Sequence, residues 1–298
     1  MNSEELIEKY CEEAHNYRIN GCHVKAITYY TKALEIDASN GDIYYNRGNS
    51  YADLEEYEKA IADYTSSIRI SVPFYEAFYN RANVYRIINS FDEAISDYTK
   101  ALELSPQHVN SYINRGLTYS KLKLYDKSLK DYTKAIEIDP NNSMAYSNRA
   151  WSNYCTYNYD AAINDYKESI TISADNYNSY IGLAKIYIGI KKFETAEKYL
   201  HHILEKNSNH VEANFNMGLC SYENADYKTA IIFFKKVINL QSDYIDAYFN
   251  LAFAYVANNE VPKAIEMYQK ICIDLACNDE DKQFAHIELK RLSGTGVD

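Results

Sequence analysis

The sequence predicts an all-α protein, a row of antiparallel helix pairs, and three observations predict it. Glycine (9) and proline (4), the residues that interrupt helices, are scarce in a chain of 298 residues. The chain repeats itself every 34 residues without insertion or deletion, a feature that outranks any domain boundary guessed from length. Within that period two columns hold only small residues. One is Ala14, Gly48, Ala82, Gly116, Ala150, Ala184, Gly218 and Ala252; the other, twelve residues on, is Ala26, Ala60, Ala94, Ser128, Ala162, Ala196, Ala230 and Ala264. Small residues at fixed places on two successive helices let the backbones approach closely, so each period reads as one helical hairpin.

Counted from Ile7, the eight periods are 7–40, 41–74, 75–108, 109–142, 143–176, 177–210, 211–244 and 245–278. In the second, Tyr44, Arg47, Gly48 and Tyr51 fall at i, i+3, i+4 and i+7 and share the buried face of the first helix. Ala60, Ile61, Tyr64, Ser67 and Ile68 form the matching stripe on the second helix. One column of that stripe is aromatic, with Tyr30, Tyr64, Tyr98, Tyr132, Tyr166, Phe234 and Tyr268, and Leu200 alone departs. Tyrosines at helical spacing are core residues rather than a cofactor site. Short polar stretches such as Leu54–Lys59 join the helices of a pair, and turn residues such as Asp139–Asn142 separate the pairs. Pro262 sits in the first turn of a second helix, where proline is tolerated. Residues 279–292 are amphipathic, acidic first and basic last, and are expected to cap the row; 293–298 should fray.

A net charge of −11 and a pI near 5.2 work against nucleic-acid binding, which needs clustered cations. The first seventeen residues carry five glutamates and no apolar run, so neither a signal peptide nor membrane insertion is expected, and a cytoplasmic location is. Cys11, Cys22, Cys155, Cys220, Cys272 and Cys277 lack the spacing of a disulfide framework, which agrees with a reducing compartment. Glycine-rich phosphate loops, H-E-x-x-H and C-x-x-C are absent from the sequence, so no catalytic residue, cofactor or metal is expected. Cys11 with His15, and Cys272 with Cys277, fall short of the three or four converging ligands that zinc takes.

These columns, small residues eight positions into each period and alanine later followed by an aromatic, resemble the tetratricopeptide repeat family across residues 7–278. The resemblance implies a right-handed α-solenoid, a superhelix whose first helices line a concave groove, in a non-catalytic scaffold that holds peptides or helices of partners. Pro106 and Pro140 alone keep the family's end-of-repeat proline, and Ile203, Val237 and Ile271 replace a small residue late in the second helix. Relatives that grip the acidic C-termini of heat-shock chaperones use lysines on first helices. Here those places hold Cys11, Tyr45, Tyr79, Ile113, Ser147, Ile181, Phe215 and Phe249, so that partner is excluded.

Where the family usually has leucine on the packed face, four periods have Arg47, Arg81, Arg115 and Arg149. Sixteen residues further on, the same four have Asp63, Asp97, Asp131 and Asp165. In the other periods both residues change together, to Glu13 and Tyr29, Leu183 and Tyr199, Met217 and Phe233, or Leu251 and Met267. Charges that appear and vanish as a couple are expected to touch, as structural ion pairs within each hairpin. As half-exposed pairs they are expected to contribute only about 0.2–1 kcal/mol each.

Beside the arginines runs a column of Asn46, Asn80, Asn114, Asn148, Asn216 and Asn250, interrupted by Glu12 and Gly182 and lying opposite the packed stripe. Some relatives use such a ladder to hold a peptide backbone, and the resemblance implies that role here. The residues themselves leave two other readings open: duplication that merely copied asparagine, and amides bonded to the next helix. Tyr45, Tyr79, Asn49, Asn83 and Trp151 share the face as candidate peptide contacts. An acidic column of Glu8, Asp42, Glu76, Glu212 and Asp246 favours a basic or neutral partner. In the sixth period Gly182 breaks the ladder, Lys185 enters and the arginine–aspartate couples stop, which points to two contact surfaces divided near Asp175.

The expected function is a non-catalytic protein–protein interaction adaptor that binds a peptide or helix of a partner through asparagine amides and aromatic rings. The alternatives are a self-associating structural subunit, hence a homo-oligomer, and a regulatory subunit of a larger complex. Exchanging the charges of Arg81 and Asp97 together should restore the stability lost in either single exchange. Strictly additive losses in chemical denaturation would show that the two do not interact.

Overall fold

The computed structural model describes residues 2–72, 74–273 and 278–294. Among them are seventeen α-helices and no strand. The chain divides into two compact units, Met1–Thr156 and Tyr157–Asp298, a division that falls inside the fifth period. The first unit holds α1 (Ser3–Ile19), α2 (His23–Ile36), α3 (Gly41–Asp53), α4 (Tyr57–Ile70), α5 (Tyr75–Ile87), α6 (Phe91–Leu104), α7 (Val109–Lys121), α8 (Tyr125–Ile138) and α9 (Ser143–Cys155). The second holds α10 (Tyr159–Ile172), α11 (Tyr177–Gly189), α12 (Phe193–Lys206), α13 (Val211–Glu223), α14 (Tyr227–Leu240), α15 (Ile245–Ala257), α16 (Val261–Ile273) and α17 (Asp279–Ser293). Inside each unit every helix packs on its chain neighbours, and successive first helices also touch, α3 on α5 and α11 on α13 among them. The expectation for 274–277, with Cys277, and for most of the 293–298 tail lies outside the described residues.

Where the small residue of a hairpin is glycine, the aromatic of its second helix closes on it. A Cβ added at Gly48 would stand 3.0 Å from the Tyr64 ring, at Gly116 2.7 Å from Tyr132, and at Gly218 2.5 Å from Phe234. Elsewhere the column is alanine, and Ala14, Ala82, Ala150, Ala184 and Ala252 are all fully buried. The facing Tyr30, Tyr64, Tyr98, Tyr132 and Tyr268 are buried in turn. Removing a ring of this size from water stabilises by about 2–3 kcal/mol, so this column is a main source of cohesion. Gly182 has its own reason: a Cβ there would lie 2.2 Å from Tyr166, so the ring occupies the place where other repeats carry asparagine.

At the row's end, Phe284 of α17 makes edge contacts with Phe249 and Phe253, centroids 5.6 and 6.3 Å away. Ala285 is fully buried, and Leu289 and Leu292 pack on the same core, so α17 covers the apolar face of α15 and α16.

The turn inside each hairpin is built alike and was not visible in the sequence. One residue per period takes a left-handed backbone: Gly21 (φ 72°), Glu55 (60°), Asn89 (61°), Lys123 (58°), Tyr157 (61°), Lys191 (59°), Ala225 (61°) and Asn259 (61°). It ends the first helix with a Schellman pair: Glu56 N–H donates to the Tyr51 carbonyl (2.9 Å) and Glu55 N–H to that of Ala52 (3.0 Å). The same 6→1 bond recurs at Ser90 to Tyr85, Leu124 to Tyr119 and Asp226 to Ser221. Only the first period uses glycine, although a left-handed residue with a side chain costs about 1–2 kcal/mol. Lys123→Gly should therefore raise stability by about 0.5–1 kcal/mol, after the entropy that glycine loses on folding, and Gly21→Val should lower it. Thermal melts of the two variants check this, and a destabilised Lys123→Gly would contradict the strain.

Candidate functional site

The arginine column is built into the core of the first unit. Arg47 donates to both oxygens of Asp63, Nε to Oδ2 and Nη2 to Oδ1, each at 2.8 Å. Arg81 meets Asp97 at 2.6 and 2.8 Å, and Arg115 meets Asp131 at 2.8 and 2.7 Å, in the same bidentate geometry. The pairs are more enclosed than half-exposed: the arginine side chains are 15–17% exposed and the aspartates 7–8%. Removing one partner then strands a buried charge at a cost of about 3–5 kcal/mol, more than the surface-pair value. Burial alone would lower the pKa of each of these three arginines, but the hydrogen bond and charge of the aspartate outweigh it and hold the guanidinium charged. Arg149 lies in the first unit and Asp165 in the second, and their pairing stays an expectation of the sequence.

Each guanidinium also reaches backwards. Arg47 Nη1 donates to Thr31 Oγ1 (3.1 Å), Arg81 to Thr65 (2.8 Å), Arg115 to Thr99 (2.9 Å) and Arg149 to Thr133 (3.2 Å). Arg47 thus joins α2, α3 and α4, and Arg81 and Arg115 do the same one and two repeats on. Tyr44, Phe78, Tyr112 and Tyr146 lie under the guanidinium carbons at 5.5–5.8 Å. The signal was present in the sequence: threonine recurs at 34-residue steps in the four periods that precede an arginine period, and Lys167 follows.

The asparagine column splits according to its neighbours. Asn80 Nδ2 donates to Asn49 Oδ1 (2.9 Å) and to the Tyr45 hydroxyl (3.1 Å) on the preceding first helix. Asn114 repeats this with Asn83 (2.9 Å) and Tyr79 (3.1 Å). Asn49 and Asn83 also accept from the core hydroxyls of Tyr64 (2.8 Å) and Tyr98 (2.6 Å). Burial raises both phenols, that of Tyr98 to about 12, which keeps them protonated as donors. Asn46 and Asn250 turn back on their own helices, to the carbonyls of Asp42 (2.9 Å) and Asp246 (2.7 Å). Asn216 does likewise to Glu212 (2.7 Å) and is fully buried, so it has no surface to offer a partner. Asn148 Nδ2 is buried without an acceptor.

Tyr45 and Tyr79 pack edge-on against Phe74 (5.0 Å) and His108 (4.8 Å), which precede the next first helix. Trp151 is 46% exposed and stacked on Tyr154 at 5.5 Å. Around the Asn49–Asn80 pair lies a cavity of about 480 Å³, bounded also by Arg18, Tyr45, Asp53 and Asn83. Asp53 is held by Arg18 (3.5 Å) and His23 (3.3 Å). In the second unit Lys185 neutralises Glu212 at 2.9 Å, which removes one acid from the rim column. Among the described residues no cluster of three or more His, Cys, Asp or Glu could hold a metal, and no helix is long and apolar enough to cross a membrane.

Tetratricopeptide repeat models match residues 41–71, 75–108, 109–142, 131–164, 157–214, 211–244 and 246–272, and a TPR repeat model matches 14–54. Together they span most of the chain, which belongs to the tetratricopeptide repeat proteins. No curated protein matches it at the sequence level. A tetratricopeptide repeat protein from Parabacteroides merdae ATCC 43184 is 20% identical with a TM-score of 0.67, over 84% of this chain and 99% of that one. Yeast Tom70 is 19% identical (TM-score 0.63; 92% of this chain, 59% of Tom70). YrrB, described as a TPR protein with an unusual peptide-binding site, is 22% identical (TM-score 0.53; 60% of this chain, 96% of YrrB). At such identities the likeness establishes the all-α repeat solenoid. Family and fold together define a class of generally non-catalytic modules for protein–protein interaction.

Thr99→Val should cost about 1.5–3 kcal/mol by leaving one Arg115 N–H without its acceptor while the Asp131 pair stays intact. In an Arg115→Leu background the same substitution should cost almost nothing. Urea denaturation of the four proteins checks this, and an equal loss in both backgrounds would remove the threonine from the network.

Proposed function

We propose that this protein is a non-catalytic adaptor that holds an extended segment of a protein partner against the first helices of its N-terminal unit. The observation that carries the reading is the cavity of about 480 Å³ beside the Asn49–Asn80 pair. Asn49 Oδ1 and Asn80 Nδ2 are committed to each other and to tyrosines, whereas Asn49 Nδ2 and Asn80 Oδ1 take no hydrogen bond among the described residues. The pair therefore offers one donor and one acceptor, the complement of a peptide unit. Asn83 and Asn114 repeat the arrangement one repeat on. Asn46 keeps exposed surface, Tyr45 and Tyr79 supply ring edges, and Trp151 offers an open face.

The internal bonds pre-organise the amides, so little entropy is lost when a segment meets them. At about 0.5–1.5 kcal/mol net per bond, these amides and the neighbouring rings support micromolar binding. The acidic side chains Glu8, Asp42 and Glu76 favour a segment that is basic or neutral over most of its length. YrrB, a relative in fold described as having a peptide-binding site, lends support to this kind of partner. Cys11, Cys22, Cys155 and Cys220 are free thiols, in keeping with a reducing compartment such as the cytoplasm.

Selection of a random displayed peptide library, each peptide fused at both ends, on the full-length protein should yield binders. Asn49→Ala with Asn80→Ala should weaken the best of them at least tenfold in fluorescence anisotropy, with helicity retained. Equal affinity would remove the amide pair from recognition. An empty selection together with a sedimentation coefficient that rises with concentration would favour a self-associating subunit instead.

A further inference from the structure

A second cavity in the first unit, about 220 Å³, is lined by Arg86 of α5, Leu117 and Lys121 of α7, and Asn148 and Trp151 of α9. Ser120 and Tyr132, which also line it, are partnered, but two of its N–H donors are unmatched. In the two preceding repeats the column asparagine finds acceptors 31 and 35 residues earlier, Asn49 and Tyr45 for Asn80, Asn83 and Tyr79 for Asn114. For Asn148 those two positions are Leu117 and Ile113, which accept nothing. It also makes no turn back to its own helix, so its buried Nδ2 has no acceptor. Arg86 Nε is likewise buried without an acceptor. Arg47, Arg81 and Arg115 of this unit each hold a carboxylate, but neither Arg86 nor Lys121 has one within 4.0 Å among the described residues. Two cations without a carboxylate and an orphan amide thus line one cavity in a protein of net charge −11.

We propose that this cavity binds the side-chain carboxylate of an aspartate or glutamate in the partner segment, with Asn148 Nδ2 and Arg86 Nε donating to its oxygens and Lys121 adding charge. The inference rests on the reading that the first unit holds a peptide, and it assigns that peptide one acidic position. A carboxylate fits because it both fills the empty acceptor positions and neutralises the cations; a neutral amide does only the first. It comes from a side chain because the two N–H groups are buried, and a slim group at the end of a methylene arm reaches them better than a branched chain terminus. Those methylenes lie against Leu117 and the open face of Trp151.

Trp151 is the single tryptophan of the chain, so its fluorescence reports occupancy of this cavity directly. Peptides selected from the library fused at both ends should share an Asp or Glu at one fixed position. The corresponding amide-capped synthetic peptide should shift Trp151 emission on binding, and its Asn or Gln form should bind at least tenfold more weakly. In Arg86→Gln with Lys121→Gln the acidic and amide peptides should bind within twofold of each other. Among the described residues neither side chain makes an ion pair, and Arg86 contacts the Tyr98 hydroxyl, which a glutamine amide can also meet, so circular dichroism should show that variant still folded. Asn49→Ala with Asn80→Ala should weaken both peptides while leaving their ratio intact.

The proposal is overturned if the acidic and amide peptides bind the unaltered protein equally, or if Trp151 does not respond. It is equally overturned if a phosphoserine peptide or a free C-terminal carboxylate is preferred to the acidic side chain. In each of these cases peptide binding itself survives. If no peptide binds at all, both readings fall together.

Discussion

The contact on which the rest depends is that between a small residue on a first helix and the side chain opposite it on the second, a ring at Tyr64, Tyr132 and Phe234. At Gly48, Gly116 and Gly218 the ring sits where a Cβ would be crowded or displaced; where the column is alanine, the methyl is fully enclosed. Such an approach leaves little freedom in the distance and angle of a hairpin. The helices then rejoin through a short turn, and the Schellman geometry with one left-handed residue satisfies the helix-end carbonyls within it. A left-handed residue recurs at this turn in every period although only the first supplies glycine. The strain at Glu55 or Lys123 is therefore imposed by packing on either side of the turn and tolerated because that packing is worth more.

On this frame the arginines determine how one hairpin sits on the next. A leucine at the same place would pack but carry no direction, whereas a guanidinium bonded bidentately to its own second helix and singly to the previous one ties three helices. The cation is placed on the packed face because all its donors have work there, and its long stem covers the neighbouring tyrosine ring. The second unit uses Leu183, Met217 and Leu251 instead, and its core there is apolar. The two units thus solve the same packing problem with different chemistry.

The asparagine column shows how one residue type acquires several roles. Its amide meets whatever stands 31 and 35 residues earlier on the neighbouring helix. With asparagine and tyrosine there it joins a network linking the core hydroxyls to the surface; with other residues there, Asn46, Asn216 and Asn250 fold back onto their own helices. Asn148, with Ile113 and Leu117 as neighbours, does neither. A repeated side chain is therefore a poor guide to a repeated function, and its neighbours determine whether it binds inward or outward.

The helical pattern, the small and aromatic columns and the couples Arg47–Asp63, Arg81–Asp97 and Arg115–Asp131 were all legible in the sequence. They are one-dimensional facts: helical periodicity repeats at 3.6, the hairpin repeats at 34, and residues in contact change together. The threonine acceptors were also written there, one period out of step, and only the direction of each guanidinium showed that they belonged to the same network. Other features belong to the tertiary structure alone. The left-handed turns at non-glycine residues arise from the packing of two helices, the burial of Asn216 from the neighbours around it, and the unmatched donors of Asn148 and Arg86 from a register between helices. The sequence determined which faces pack because packing follows local periodicity; the three-dimensional fold decided which polar atoms remain free, because that depends on partners a full repeat away.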